Sequence, residues 1–281
     1  MSGTLFVVST PIGNLEDVTL RAVRVLREVE LIAAEDTRRS AQLLARHGIS
    51  TPTLSFHQHN VRRRLPQLLL RLRAGAQVAL VTDAGTPGIS DPGVELVQAC
   101  VDAGISIDPV PGVSAPLTAA IASGFPLNPL TIYGFPPSRS KDRKRWLADV
   151  SKVSNTLTFF ETPHRIKSTM LEAAPVFVNR PIMLGRELTK VHQQFMRGIA
   201  LELVDQLDRV KGEFTVVVGP IPIVAESDST APESVIASDF WDTTEIEGLS
   251  RRAAITAVAK KYRIPAKRVY SIVEKSKTSV K

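Results

Sequence analysis

The sequence predicts an α/β protein of two domains followed by a small helical appendage, and three observations predict it. Short apolar runs rich in Val, Ile and Leu alternate with longer amphipathic segments, the rhythm of strands and helices packed in layers. Loops bearing glycine and proline follow several of these runs directly, where open α/β sheets gather their ligand loops. The pattern restarts at Asn155 and changes in kind after Gly248, where two helical segments carry many Lys and Arg.

Thr4 to Ser9 reads as the first strand, and Leu20 to Arg27 as a helix with Leu20, Val23 and Leu26 on its buried face. Further strands are expected at Glu30 to Ala34, Gln77 to Thr82, Ser106 to Val110 and Leu130 to Gly134. A helix fits Pro92 to Ala103, with Asp91 as N-cap, Pro92 in the first turn and Gly104 as the stop. In the second half, Asn155 to Glu161 reads as a strand and Thr162-Pro163 opens a helix. Arg180 to Leu188 reads as a strand, Ile199 to Leu207 as a helix and Gly212 to Gly219 as a last strand. Between the halves, the basic stretch Gly134 to Lys144 suits a flexible loop.

Ala225 to Pro232 is polar and reads as a linker. Leu249 to Tyr262 and Ala266 to Lys275 read as helices joined by a tight turn. This helix-turn-helix-like tail suits nucleic-acid contact, or capping and oligomerisation. The expected divisions are residues 1–124, 125–221, a linker over 222–248 and the tail over 249–281.

Of the 281 residues 43% are hydrophobic and 22% charged, enough apolar material for two cores and unlike a disordered chain. The opening apolar run is short and broken by Pro11, unlike a signal peptide. No stretch approaches the roughly 18 apolar residues of a membrane span. The single cysteine, Cys100, excludes an internal disulfide and any multi-cysteine metal site. These features point to the cytoplasm. A net charge of +7 favours a polyanionic partner, although many soluble proteins are mildly basic. His47, His57, His59, His164 and His192 show no ligand spacing, so no metal is expected.

Three loops stand out. Ser9-Thr-Pro-Ile-Gly-Asn-Leu follows the first strand without the spacing of a dinucleotide or P-loop fingerprint, and a structural turn explains it as well as a ligand loop. Thr82-Asp-Ala-Gly-Thr-Pro-Gly-Ile-Ser-Asp-Pro-Gly is rich in glycine, proline and acid, and Asp83 suits the ammonium or hydroxyls of a polar ligand. Val110-Pro-Gly-Val-Ser-Ala-Pro repeats the design, and Ser114 begins a helix. All three would meet along one edge of a parallel sheet. Charges also stand at strand ends in Glu35, Asp36 and Arg38, and in Arg186, Glu187 and Lys190. For Arg186 and Glu187, salt-bridged scaffolding is the first reading.

The ordered series STPIGNLEDVTLRA, AAEDTR, DAGTPGISDPG, PVPGVSA, FFETPHR, GRELTK and KGEFTVVV, spanning Leu5 to Gly219, resembles the small-subunit ribosomal RNA cytidine 2′-O-methyltransferases. That family lies among the tetrapyrrole-methylase-like (class III) methyltransferases, and only Ser9 stands where its pattern has proline. The resemblance implies two α/β domains of the tetrapyrrole methylase type enclosing a cleft for S-adenosylmethionine, and a homodimer. It implies cofactor contacts at Asp83, Ala84, Gly85, Ser114 and Ala115. Further contacts would come from Phe160, Glu161, Leu188, Gly212, Glu213, Phe214 and Thr215. The TPIGNL and AEDTR segments, with Pro11, Gly13 and Asn14, would face ribosomal RNA of the small subunit, free or in assembled particles.

Methyl transfer to a ribose hydroxyl is an in-line displacement, so catalysis is mostly positioning plus a base for the hydroxyl proton. Asp36, Lys190 and Glu35 are the candidates, with Asp36 and Lys190 preferred. Arg38, Arg39, Arg139, Lys141 and Arg143 are candidate substrate contacts, with Arg62 to Arg64 as further cations. Phe56, His57 and His59 are candidates for stacking on a splayed base. Two other readings stand beside this one: a methyltransferase of the same superfamily acting on a tetrapyrrole or a protein, and a non-catalytic ribosome-binding protein.

Overall fold

The computed structural model describes residues 3–88, 93–208, 210–222, 231–245, 248–262 and 264–278. It divides into two compact units, Met1–Ile221 and Pro222–Lys281.

The first unit holds two five-stranded sheets. One is built from β1 (Thr4–Val8), β2 (Leu31–Ala34), β3 (Thr53–Ser55), β4 (Gln77–Val81) and β5 (Ser106–Val110). These lie in the order β3-β2-β4-β1-β5 with every pairing parallel. Helices α1 (Leu20–Glu28), α2 (Thr37–Arg46), α3 (Val61–Arg73) and α4 (Val94–Asp102) connect them. Parallel strands covered on both faces must be apolar throughout, and β2 is buried at all four residues. One core gathers Val8, Val25, Leu26, Ile32, Leu43 and Val81, the other Leu5, Phe56, Leu68, Leu72 and Leu80.

After α5 (Ala115–Ser123) come β6 (Leu130–Ile132), α6 (Ser140–Val150), β7 (Thr156–Glu161), α7 (Ile166–Ala173), β8 (Ile182–Arg186), β9 (Gln194–Gly198), α8 (Ala200–Val204) and β10 (Phe214–Val218). The second sheet runs β6-β7-β10-β8-β9 and is antiparallel except for β6 beside β7. Helix α5 lies before the expected boundary at residue 124, yet it packs on β10, β7 and β8 of this second sheet. Its Ala119 shares a cluster with Met183, Leu188 and Val217.

Several expectations need correction. In α1 the buried residues are Ala22, Val25 and Leu26, while Leu20 is 91% exposed. The stretch expected to be a flexible loop becomes α6 from Ser140, because Arg143, Leu147 and Val150 form a buried stripe at helical spacing. Helix α4 begins at Val94, and the expected cap Asp91 and first-turn Pro92 lie outside the described residues. Helices α2 and α3 and strands β3 and β9 were not anticipated.

The second unit contains α9 (Glu233–Glu245), α10 (Arg251–Tyr262) and α11 (Ala266–Thr278). Helix α9 falls in the stretch expected to be a linker. Its Ile236, Ala237 and Phe240 pack with Val258, Val269 and Ile272, so three helices share one core. Most of Ala225 to Pro232 lies outside the described residues.

Candidate active site

Because β1 lies between β4 and β5, the three glycine-bearing loops emerge side by side at the carboxyl ends of adjacent strands. They are stitched together. The main chains of Thr10 and Gly85 exchange two hydrogen bonds, of 2.9 and 3.0 Å, and the Thr86 hydroxyl donates to the Val113 carbonyl at 3.1 Å. Gly85 sits at φ +82°, a region L side chains rarely enter, which keeps the backbone open beside Ile12.

The loop after β2 joins this group through Asp83. The Asp83 N–H donates to Glu35 Oε2 at 3.2 Å, and the Asp36 N–H donates to Asp83 Oδ1 at 3.0 Å. Arg39 Nη1 stands 3.3 Å from Asp83 Oδ2.

The second sheet brings a charged loop opposite. After β8 the chain places Glu187 at φ +50° and Thr189 at φ +63°, two side-chain-bearing residues in left-handed backbone on either side of Leu188. Such strain persists only where surrounding contacts hold it. Here Lys190 Nζ donates to Glu187 Oε1 at 2.9 Å and to Glu213 Oε2 at 3.3 Å, and the Glu213 N–H returns to Glu187 Oε1 at 3.0 Å. The Asn14 N–H donates to Thr189 Oγ1 at 2.9 Å, tying the first loop of one sheet to this loop of the other. That approach requires a glycine beside it, since a Cβ on Gly13 would lie 2.5 Å from Lys190 Cγ.

Between the two loop groups lies a cavity of about 250 Å³ lined by Glu35, Asp83, Gly85, Ala115, Phe135, Phe160, Leu188, Lys190 and Thr215, among others. Strand alternation sorts the expected residues. Phe160 and Thr215 face the cavity, whereas their neighbours Glu161 and Phe214 face away. Glu161 is buried, paired with Arg165 at 2.8 Å and bonded to Thr169 Oγ1 at 2.7 Å, so its carboxylate is committed to scaffolding. Asp83, Ala84, Gly85, Ala115, Leu188 and Glu213 line the cavity. Ser114 caps no helix N–H, and its buried hydroxyl has no partner among the described residues. Gly212 lies against the Glu187 side chain at φ +90°.

The three base candidates separate clearly. Asp36 is the N-cap of α2 and is bonded to Arg38, which holds its carboxyl down at about 2, and it does not line the cavity. Burial lowers the Lys190 pKa, but the hydrogen bond it donates to Glu187 and the charges of Glu213 and Glu187 outweigh that and raise it, so the amine stays protonated. Glu35 behaves in the opposite way. Burial raises its pKa most, and the neighbouring Asp83 charge adds to this against the Asp83 N–H and Arg39.

The substrate candidates also divide. Pro11, Gly13 and Arg39 line a second cavity of about 360 Å³ adjoining the first, sharing Ile12, Arg39, Asp83, Ala84, Lys190 and Glu213 with it. Asn14 caps the short 3-10 turn at Leu15–Asp17. Arg38 is exposed and paired with Asp36. Arg139 precedes α6 and Lys141 lies on its exposed face. Arg143 is buried against Glu172, at 2.8 Å from Nε and 3.0 Å from Nη2, and is removed from phosphate contact. Phe56 is fully buried in the core, so it stacks on no base, while the His57 and His59 rings meet edge-on at 5.9 Å. Phe135 was missed. It lies in a loop with no periodicity to flag it, and its ring stands 5.3 Å from Phe160.

A pair of α/β sheets enclosing such a cleft is the architecture of one class of methylating enzymes. Residues 4–204 match the family described as tetrapyrrole (corrin/porphyrin) methylases, and the chain belongs to that family. It is similar to the ribosomal RNA small subunit methyltransferase I of Halalkalibacterium halodurans, 39% identical over 277 residues, covering 96% of this chain and 94% of that one. The protein of the same name from Thermotoga maritima is 46% identical over 217 residues, covering 76% of this chain and 97% of that one.

Solved structures share the fold at low identity. Diphthine synthase matches at TM-score 0.63 and 12% identity, covering 77% of this chain and 90% of that one. The uroporphyrin-III C-methyltransferase of Thermus thermophilus, complexed with S-adenyl homocysteine, matches at TM-score 0.56 and 18% identity, covering 78% of this chain and 98% of that one. Among the described residues, no helix is long and apolar enough to cross a membrane.

Proposed function

We propose that this chain uses S-adenosylmethionine to methylate the ribose 2′-oxygen of a cytidine in small-subunit ribosomal RNA. The observation that carries the reading is the meeting of Glu35, Asp83 and Lys190 in one cleft with the apolar wall of Phe135, Phe160 and Leu188. The names of the curated relatives supply the RNA.

The residues present fit the cofactor. The unpartnered Ser114 hydroxyl needs a polar contact, the Phe135–Phe160 pair suits an aromatic base, and Asp83 and Glu213 suit an ammonium. Asp83, Ala84, Gly85, Ser114, Ala115, Phe160, Leu188, Glu213 and Thr215 would hold it. When bound, it supplies an electrophilic methyl group on a sulfonium. Glu35 takes the proton from the ribose hydroxyl, because it lines the cleft and burial makes it a stronger base than an ordinary carboxylate, while Asp36 is too acidic and Lys190 is kept charged. Arg39 and Lys190 present positive charge to the RNA backbone at the junction of the two cavities.

Exposed Lys267, Arg268 and Tyr270 on α11 support a second RNA contact in the C-terminal unit, with assembled small subunits as the natural substrate. A homodimer in the cytoplasm completes the reading. Leu117 and Ile121, one turn apart on α5 and 47% and 73% exposed, supply apolar surface for the dimer. The test is transfer of labelled methyl to small subunits lacking the modification, with mapping of the product. Label on a cytidine 2′-oxygen is expected, and no label on RNA from protein that binds cofactor overturns the reading.

A further inference from the structure

The second cavity is built differently from the first. Its floor is apolar, formed by Leu26, Ile32, Leu43, Leu44 and Val81 from α1, α2 and the sheet. One of the lining residues carries a buried polar group without a partner among the described residues. Thr82 is 1% exposed, lines the cavity, and its Oγ1 has no hydrogen-bond partner among the described residues. Its own carbonyl is occupied by the Thr10 hydroxyl at 3.1 Å, so the threonine is held while its hydroxyl stays unpaired. A buried polar atom without a partner costs free energy, which a ligand supplying the bond would recover.

The volume of about 360 Å³ falls within the roughly 300–1,000 Å³ of small-ligand pockets. Gln42, on the exposed side of α2, stands at its margin. Apolar walls with a polar group at the edge suit an extruded nucleobase, since its faces are apolar and its rim carries donors and acceptors. The cavity opens onto Asp83, Arg39 and Lys190, where the ribose would be held.

We propose that this second chamber receives the base of the target nucleotide, extruded from the RNA, and that Thr82 Oγ1 hydrogen-bonds its edge. The inference rests on the RNA reading given above. Thr82 is a specificity-setting contact, and it takes no part in the transfer.

The test uses small subunits reconstituted with RNA carrying either cytidine or an abasic ribose at the target position, with wild type, Thr82→Val, Thr82→Ser and Gln42→Trp. Binding of S-adenosylhomocysteine is measured in parallel. With cytidine, Thr82→Val should lower kcat/KM about tenfold, the effect of one lost hydrogen bond, and Thr82→Ser should restore it. With the abasic target, Thr82→Val should change nothing. Gln42→Trp, an exposed position that tolerates bulk without refolding, should block cytidine transfer and spare abasic transfer. Equal losses on both targets in either variant overturn the chamber assignment. Absence of transfer to any RNA by wild type overturns the RNA reading instead, so the two failures are distinct.

Discussion

The main-chain N–H of Asp83 donates to Oε2 of Glu35 at 3.2 Å, so the ends of β4 and β2 are joined through a carboxylate that faces the cleft. Burial and the Asp83 charge raise the Glu35 pKa. As a base it must be ionised, so turnover should rise with pH through a limb above the ordinary carboxylate range and level off beyond it. Glu35→Gln should lower kcat roughly a hundredfold or more and abolish that limb. A raised folded-state pKa favours the fold below the unfolded pKa, and that contribution is lost as pH rises through the folded value. Glu35→Gln should therefore melt progressively higher than wild type as pH rises through that window. An unchanged pH profile in the variant would remove Glu35 from the proton transfer.

Asp83 holds Arg39 on one oxygen and the Asp36 N–H on the other. Asp83→Ala should weaken S-adenosylhomocysteine binding by about tenfold in calorimetry, the scale of one charge-assisted contact. Unaltered affinity would take Asp83 out of the cofactor site.

The latch between the two sheets gives a steric prediction. In Gly13→Ala the new methyl group would meet Lys190 Cγ and, at 2.7 Å, Thr189 Oγ1. The loop must shift, at roughly 1–3 kcal/mol by analogy with overpacked cores. Turnover should fall with a modest loss of melting temperature. Wild-type kinetics would show that the strained loop serves packing alone.

On α6, neighbouring cations should behave oppositely. Arg143→Ala leaves Glu172 without its buried partner and should cost about 3 kcal/mol in a denaturant melt. Lys141→Ala should change stability by no more than about 0.5 kcal/mol. It should lower the salt slope of RNA binding by about one. The reverse pattern would contradict both assignments.

The boundary after Ile221 defines a clean truncation. Protein ending there should keep its cofactor affinity but bind small-subunit RNA more weakly, with a flatter salt dependence. A slope equal to that of the full chain would make the three-helix unit structural.

The strands most legible in the sequence were β1, β4 and β10, each an apolar run with a single polar residue to blur it. Strand β9, with the sequence QFMRG, is an edge strand with polar positions and gave no such signal. Helix α6 was hidden because a charged residue, Arg143, occupies a core-facing position. Only its pairing with Glu172, 29 residues away, makes that burial tolerable.

By itself the sequence determined the order of the elements, the three glycine-bearing loops and the residues present at each strand end, because local periodicity and turn chemistry are properties of short segments. Only the tertiary structure decided which of those residues act together. Alternation turned Phe160 and Thr215 into the cleft and Glu161 and Phe214 away from it. The proposal of Glu35 over Asp36 and Lys190 as the base rests on burial and on charges brought close from distant segments. Those fields exist only once the chain has folded, and no spacing along the sequence encodes them.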